Sequence, residues 1–153
     1  MKEIQAPNSF KGEKNTIFLG GSIEMNTASR WQDTIVKRFE DRDVTFLNPR
    51  RDNWNSSIEQ SIDNNEFSQQ VHWELDAMSA SNIIVLYFDP DTKSPITLLE
   101  FGLIAASNKT MLLCCPKGYW RRGNIEIVAK RYRIKVIDSF IELIRSLDRV
   151  IPK

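Results

Sequence analysis

Five short apolar runs, each closed by a turn signal, alternate with stretches of helical spacing. No other feature of the chain constrains its fold as much. The runs are Thr16–Leu19, Val44–Leu47, Ile83–Phe88, Thr110–Cys114 and Lys135–Ile137. Each has strand length, and Ile83–Phe88 is apolar throughout, the pattern of a strand buried on both faces. Between them the spacing predicts helices. One runs from Ala28 to Phe39 with Trp31, Ile35 and Phe39 inward, and another from Phe67 to Met78 with Val71, Leu75 and Met78 inward. A third opens at Ser94-Pro95, a capping side chain followed by a residue that needs no N–H. A short one spans Ile125 to Arg131, and Ser139 caps a last one that faces Phe140, Leu143, Ile144 and Leu147 inward. Repeated strand–helix alternation predicts an α/β fold: a three-layer, doubly wound domain with a five-stranded parallel sheet in flavodoxin-like order 2-1-3-4-5. Residues 1–14, polar with Pro7 and Gly12, read as a loose N-terminal segment, and 15–153 as a single domain.

Composition narrows the function classes. Twenty-one basic against twenty acidic residues leave a formal charge of +1, which argues against a nucleic acid polymer or a membrane surface as partner. No apolar run approaches the roughly 18 residues of a membrane span, and the polar N-terminus lacks a signal-peptide pattern. Cys114 and Cys115 are adjacent and cannot staple the fold; they read as buried thiols in a reducing cytoplasm. A single His with no spaced Cys or acid cluster points away from a metal site.

In a doubly wound sheet, ligands bind outside the carboxyl ends of the strands, and the unusual residues of this chain fall there. Gly20, Gly21 and Ser22 follow the first run. Asn48, Arg50, Arg51 and Trp54 follow the second, and Asp89 and Asp91 the third. Gly118, Tyr119, Trp120, Arg121 and Arg122 follow the fourth. Gly-Gly-Ser either lets backbone N–H groups approach a ligand or makes a tight turn. It is neither a dinucleotide fingerprint nor a phosphate loop, because the later glycines and the Gly-Lys pair are missing. Arg121 and Arg122 suit a phosphate or are ordinary loop charges. Trp73 and Glu74 are placed on the polar side of their helix, Trp73 either packing or stacking on a ligand. Glu100 is the one acid in an otherwise apolar helix, so it is exposed at the helix start, partnered, or retained for chemistry.

Six segments, in order, carry a resemblance. They are Ile17-Phe18-Leu19-Gly20-Gly21-Ser22-Ile23, Trp31-Gln32, Asn48-Pro49-Arg50-Arg51, Gln70-Val71-His72-Trp73-Glu74-Leu75, Ser94 through Gly102, and Cys115 through Asn124. Together they resemble the nucleoside 2-deoxyribosyltransferase-like family. The resemblance implies transfer of a 2-deoxyribosyl group between nucleobases through a covalent ester on Glu100, by the logic of retaining glycosidases. Glu74 stands where a family acid serves the departing base, and Asp89 is a second candidate for that proton. Ser94 stands where the family carries an Asp six residues before the nucleophile. Asn124 matches a residue that reaches a neighbour's site in family dimers, so a homo-oligomer is implied. Gly20, Gly21, Ser22 and Trp73 are expected to shape the base pocket, with Asn48, Arg50, Arg51, Ser94, Arg121 and Asn124 as further substrate contacts.

Partners are then a nucleoside or nucleotide and a free nucleobase, with no cofactor. Two alternatives stand beside transfer. The arginines favour hydrolysis of a nucleoside 5′-monophosphate, and Ser94 in place of an acid motivates a non-catalytic nucleotide sensor.

Overall fold

The N-terminal segment forms a strand. In the computed structural model, which describes residues 1–24 and 26–153, β1 (Lys2–Gln5) lies parallel to β3 (Thr45–Asn48) with Ile4 opposite Leu47. The expectation of a loose lead-in is corrected. A polar segment can still be a strand when one side chain is anchored, and Ile4 is buried between the polar Glu3 and Gln5.

The remaining strands are β2 (Thr16–Gly21), β4 (Ile83–Tyr87), β5 (Thr110–Cys114) and β6 (Val136–Ile137). All pairings are parallel and the order is β1-β3-β2-β4-β5-β6. The sheet therefore has six strands rather than the five of the flavodoxin-like expectation. The five expected strands keep the neighbours foreseen for them, and β1 covers what would have been the bare edge of β3. Helices α1 (Trp31–Arg38), α2 (Asn65–Ala80), α3 (Pro95–Ala105), α4 (Arg122–Arg131) and α5 (Phe140–Val150) complete the chain.

Two apolar cores cover the two faces of the sheet. On one, Trp73, Ala77 and Met78 of α2 meet Phe101, Ile104 and Ala105 of α3 and Ile125 and Ala129 of α4 over Phe18, Ile84 and Leu86. On the other, Trp31 and Ile35 of α1 and Leu143 and Leu147 of α5 pack on Ile17, Leu19, Val85 and Tyr87. Leu75, expected inward, is 45% exposed, while Trp73, expected on the polar side, is buried. The α2 stripe is thus one step out of the expected phase, because Trp73 and Ala77, four apart, take the sheet-facing row. Cys114 and Cys115 are buried free thiols, and burial pushes their pKa values up to about 12 and about 11. No helix of the described residues is long and apolar enough to cross a membrane.

The order in which strands are added reverses at β2. Its neighbour on one side, β3, and on the other, β4, are reached by connections running opposite ways along the sheet. A crevice opens at such a switch point, beyond the carboxyl ends of the strands. Gly21 and Tyr87 are the paired residues there.

Candidate active site

Gly21 builds the floor of the crevice. Its φ is +145°, and a Cβ would meet the Tyr87 carbonyl oxygen at 2.4 Å and the Trp31 ring at 2.9 Å, so only glycine lets β2, β4 and α1 close here. A Cβ on Gly20 would strike Phe18 and Leu86 side chains at 2.6 and 2.7 Å. Both glycines are required by packing.

Ser22, fully buried, turns the chain out of β2. Its N–H donates to the Tyr87 carbonyl at 2.9 Å, and its carbonyl accepts the Trp31 indole N–H at 3.0 Å. Its hydroxyl sits in a triangle with those of Ser94 (2.6 Å) and Thr92 (2.9 Å), themselves 2.7 Å apart, and accepts the Asp89 N–H at 2.8 Å. Asp89 accepts the Asp91 N–H at 3.0 Å and the Ser29 hydroxyl at 3.1 Å. This network locks the β4–α3 loop onto the end of β2.

Ser94 does not cap α3 with its side chain, contrary to the capping expectation. It lies in the left-handed region, φ 46°, with its hydroxyl turned to Ser22. The carboxylate of Glu24 instead accepts the backbone N–H of Ser94 at 2.5 Å and that of Lys93. A negative group at this helix start also suits the dipole.

Glu100, one and a half turns into α3, is 7% exposed, so it is not a surface acid. Burial raises its pKa well above the ordinary carboxylate value, and the nearby Glu74 carboxylate raises it further. Glu74 faces it from α2. Burial lifts its pKa to about 7, opposed by a hydrogen bond from Gln70. The charge of Glu74 thus favours the protonated form of Glu100. Gln70 fixes one member: its amide donates to Glu74 Oε1 at 2.8 Å and to the Pro49 carbonyl at 2.9 Å.

Other candidates are held elsewhere. Arg50 is 2% exposed, and its guanidinium donates to Asn26 Oδ1 (3.0 Å), Ser29 O (2.6 Å), Ala28 O (2.9 Å) and Gln32 Oε1 (3.3 Å). It fastens the β2–α1 loop, and no edge is left for a phosphate. Asn48 donates to Glu3 at 2.8 Å and accepts the Arg50 N–H at 3.0 Å, tying β1 to β3. Trp73 donates its indole N–H to the Asn8 carbonyl at 2.8 Å and meets Phe10 edge-on, centroids 5.5 Å apart. It lines a separate hollow of about 510 Å³ with Phe10 and His72. Arg122 pairs with Asp138 at 2.5 Å and Glu126 at 2.8 Å. Arg121 stacks on Trp120, 4.3 Å from the ring centre, with Lys93 against the same ring at 4.5 Å. Asn124 is exposed on the first turn of α4. Arg51 alone among the arginines discussed keeps buried donors without partners, Nε and Nη1.

The structure thus gathers Gly21, Ser22, Asp89 and Ser94 at one point, and Glu74 with Glu100 beside α2. Sequence reasoning missed Gln70, Glu24, Thr92 and Asn26 as supports. Gln70 was legible from its four-residue spacing to Glu74. Glu24 carried no local signal, since its partners lie about seventy residues on. Among the described residues no group of side chains is arranged to hold a metal ion.

The model of the family described as nucleoside 2-deoxyribosyltransferase like matches residues 14–119, more than half of the chain. A crystal structure of a conserved protein from Enterococcus faecalis V583 superposes with a TM-score of 0.61 at 12% identity, covering 88% of this chain and 98% of that one. At that identity the likeness is one of fold. No curated protein matches the sequence.

Proposed function

Since the chain belongs to the nucleoside 2-deoxyribosyltransferase-like family, we propose that it cleaves the N-glycosidic bond of a 2-deoxynucleoside and passes the sugar to a second base. The observation that carries this reading is the Glu74–Glu100 pair. Two neighbouring carboxyls drawn out of water are costly to hold, and two acids are what glycosyl transfer needs. The reading asks Glu100 to attack as a carboxylate and Glu74 to carry the proton to the leaving group, so substrate binding must move the proton that the charge of Glu74 favours on Glu100.

Glu100 is the nucleophile. Its carboxylate oxygen bonds to C1′ as the C1′–N bond breaks, and the bonding pair leaves with the base. Glu74 gives its proton to that base, making it a neutral leaving group. A glycosyl ester on Glu100 results. The incoming base attacks C1′ with a ring nitrogen, its proton passes to Glu74, and Glu100 leaves as carboxylate. Ser22, Thr92 and Ser94 position the loop that starts α3, and Asp89 completes that network. Its carboxylate accepts two hydrogen bonds there, so Glu74 is the acid in this reading. No cofactor is required, since carboxylates and positioning suffice.

A 5′-monophosphate is the weaker reading. Of the four arginines that motivated it, Arg50 and Arg122 are bound into the structure and Arg121 is stacked on Trp120. Incubation with labelled deoxynucleosides and their 5′-monophosphates, with and without a free acceptor base, tests the proposal. Base exchange that depends on the acceptor is the expected result. Base release alone means hydrolysis, and no turnover with retained binding means a sensor.

A further inference from the structure

Two left-handed residues that are not glycine meet at the start of α3. Glu24 has φ +43° and Ser94 φ +46°. That region is unfavourable for a residue with a Cβ. Ser94 carries a second penalty, because the residue before a proline is driven toward extended backbone. Such conformations persist only where the surroundings over-determine them. Here three elements grip the buried Ser94 and its neighbour Lys93. From the end of β2, the Ser22 hydroxyl accepts that of Ser94 at 2.6 Å. From the β2–α1 loop, one oxygen of Glu24, Oε1, accepts the N–H groups of both Lys93 and Ser94. From the β5–α4 loop, the Tyr119 hydroxyl and the Trp120 indole N–H donate to the Lys93 carbonyl at 2.5 and 3.0 Å. The Glu24 turn is itself closed, its carbonyl accepting the Thr27 N–H at 3.0 Å and the Thr27 hydroxyl at 2.7 Å. Helix α3 has few other directional holds. Of its eleven residues only Glu100 is charged. Phe101, Ile104 and Ala105 hold its inner side by apolar packing, which is non-directional and fixes depth better than position along the axis. The Ser94 carbonyl accepts the Leu98 N–H at 3.2 Å, so the gripped residue is continuous with the first turn. Glu100 rides about 9 Å further along the same rod.

We infer that Glu24 is a positioning residue for Glu100: its carboxylate holds Ser94 left-handed and thereby sets where α3 presents the Glu100 carboxyl along its axis. This role rests on the glycosyl-transfer reading of Glu100. Without the carboxylate, Ser94 relaxes toward the extended backbone that precedes a proline. The first turn of α3 shifts with it, and Glu100 moves off the line of attack on C1′. A displacement of about 1 Å is enough to cost about 100-fold in rate. The acceptor matters more than its charge. A glutamine amide oxygen takes the same two N–H groups and forfeits only the attraction to the helix dipole.

The test is steady-state transfer kinetics, with the deoxynucleoside and acceptor base that exchange fastest, and a thermal melt of each variant. Glu24→Ala is expected to lower kcat by about 10- to 100-fold with KM within about 3-fold. Glu24→Asp, one methylene short of the two N–H groups, is the milder second variant and should lose about 10-fold in kcat. Glu24→Gln should lose no more than about 3-fold. Glycine adopts the left-handed conformation freely, so in a Ser94→Gly background the further loss on Glu24→Ala should fall below about 3-fold. An unchanged kcat in Glu24→Ala and Glu24→Asp overturns the inference, as does a loss confined to KM or to the melting temperature. So does a glutamine variant as slow as the alanine variant, or an undiminished Glu24→Ala loss in the Ser94→Gly background. Absent turnover in the unmodified protein overturns the glycosyl-transfer reading itself, and this role with it.

Discussion

Gln70 donates a hydrogen bond to Glu74 at 2.8 Å and lowers a carboxyl pKa that burial raises. The two lie one turn apart on α2 and set the proton inventory of the site. Removing the amide in Gln70→Leu should lift the Glu74 pKa above about 7. The alkaline limb of kcat/KM then moves to higher pH, read from a pH–rate profile. An alkaline limb that stays in place would detach Glu74 from the proton step.

Glu100→Gln should abolish transfer, lowering kcat by about 1,000-fold or more, as loss of a nucleophile does. Single-turnover assays with trapping of the glycosyl ester check it. Retained activity would remove Glu100 from the nucleophile role.

The same pair makes stability depend on pH. A carboxyl whose pKa rises on folding binds protons more tightly in the folded state. Its stabilisation is complete below about pH 4.5 and is lost as pH rises through about 7, the Glu74 value. Glu74→Gln carries no such penalty. At pH 8 it should be more stable than the unmodified protein by about 3 kcal/mol at most, at 1.36 kcal/mol per pKa unit. Near pH 4.5 the gap should close. Urea unfolding at the two pH values measures it.

Arg50→Met should cost about 3 kcal/mol or more, since it orphans the carbonyls of Ala28 and Ser29 and the side chains of Asn26 and Gln32. Arg50→Lys should recover little, because one ammonium cannot span the same acceptors. Chemical denaturation gives the number. A neutral result would return Arg50 to the list of ligand contacts.

Deleting residues 1–5 should bare the edge of β3 and strip Asn48 of its Glu3 acceptor. A lower melting temperature and concentration-dependent association in light scattering are expected. Unchanged behaviour would mean that β1 adds nothing to the fold.

Much of the architecture was readable because local patterns state it. Ile83–Phe88 could be little else than a central strand, and Ser139 caps α5 by accepting the Glu142 N–H at 3.2 Å, as its position implied. β1 was hidden because Lys2, Glu3 and Gln5 are polar and only Ile4 marks a buried face. The site divides the same way. Glu100 stood out as a lone acid among apolar residues, and Glu74 by its place in a motif. The fate of Arg50 was illegible, because a guanidinium in a turn reads the same whether it meets substrate or four acceptors of its own chain.

By itself, then, the sequence determined the elements and the edge of the sheet where chemistry sits. Hydrophobic period and turn residues act over a few positions, and connection rules leave few ways to stack them. Only the tertiary structure decided which polar side chains were left over. Trp73 went to anchor the N-terminal segment, Asn48 to bind Glu3, and Ser94 to join Ser22 rather than cap its helix. Glu74 and Glu100, twenty-six positions apart, came within electrostatic reach because α2 and α3 pack on the same side of the sheet. Pairing of polar groups depends on distances between elements, and those are set by packing rather than by any local pattern.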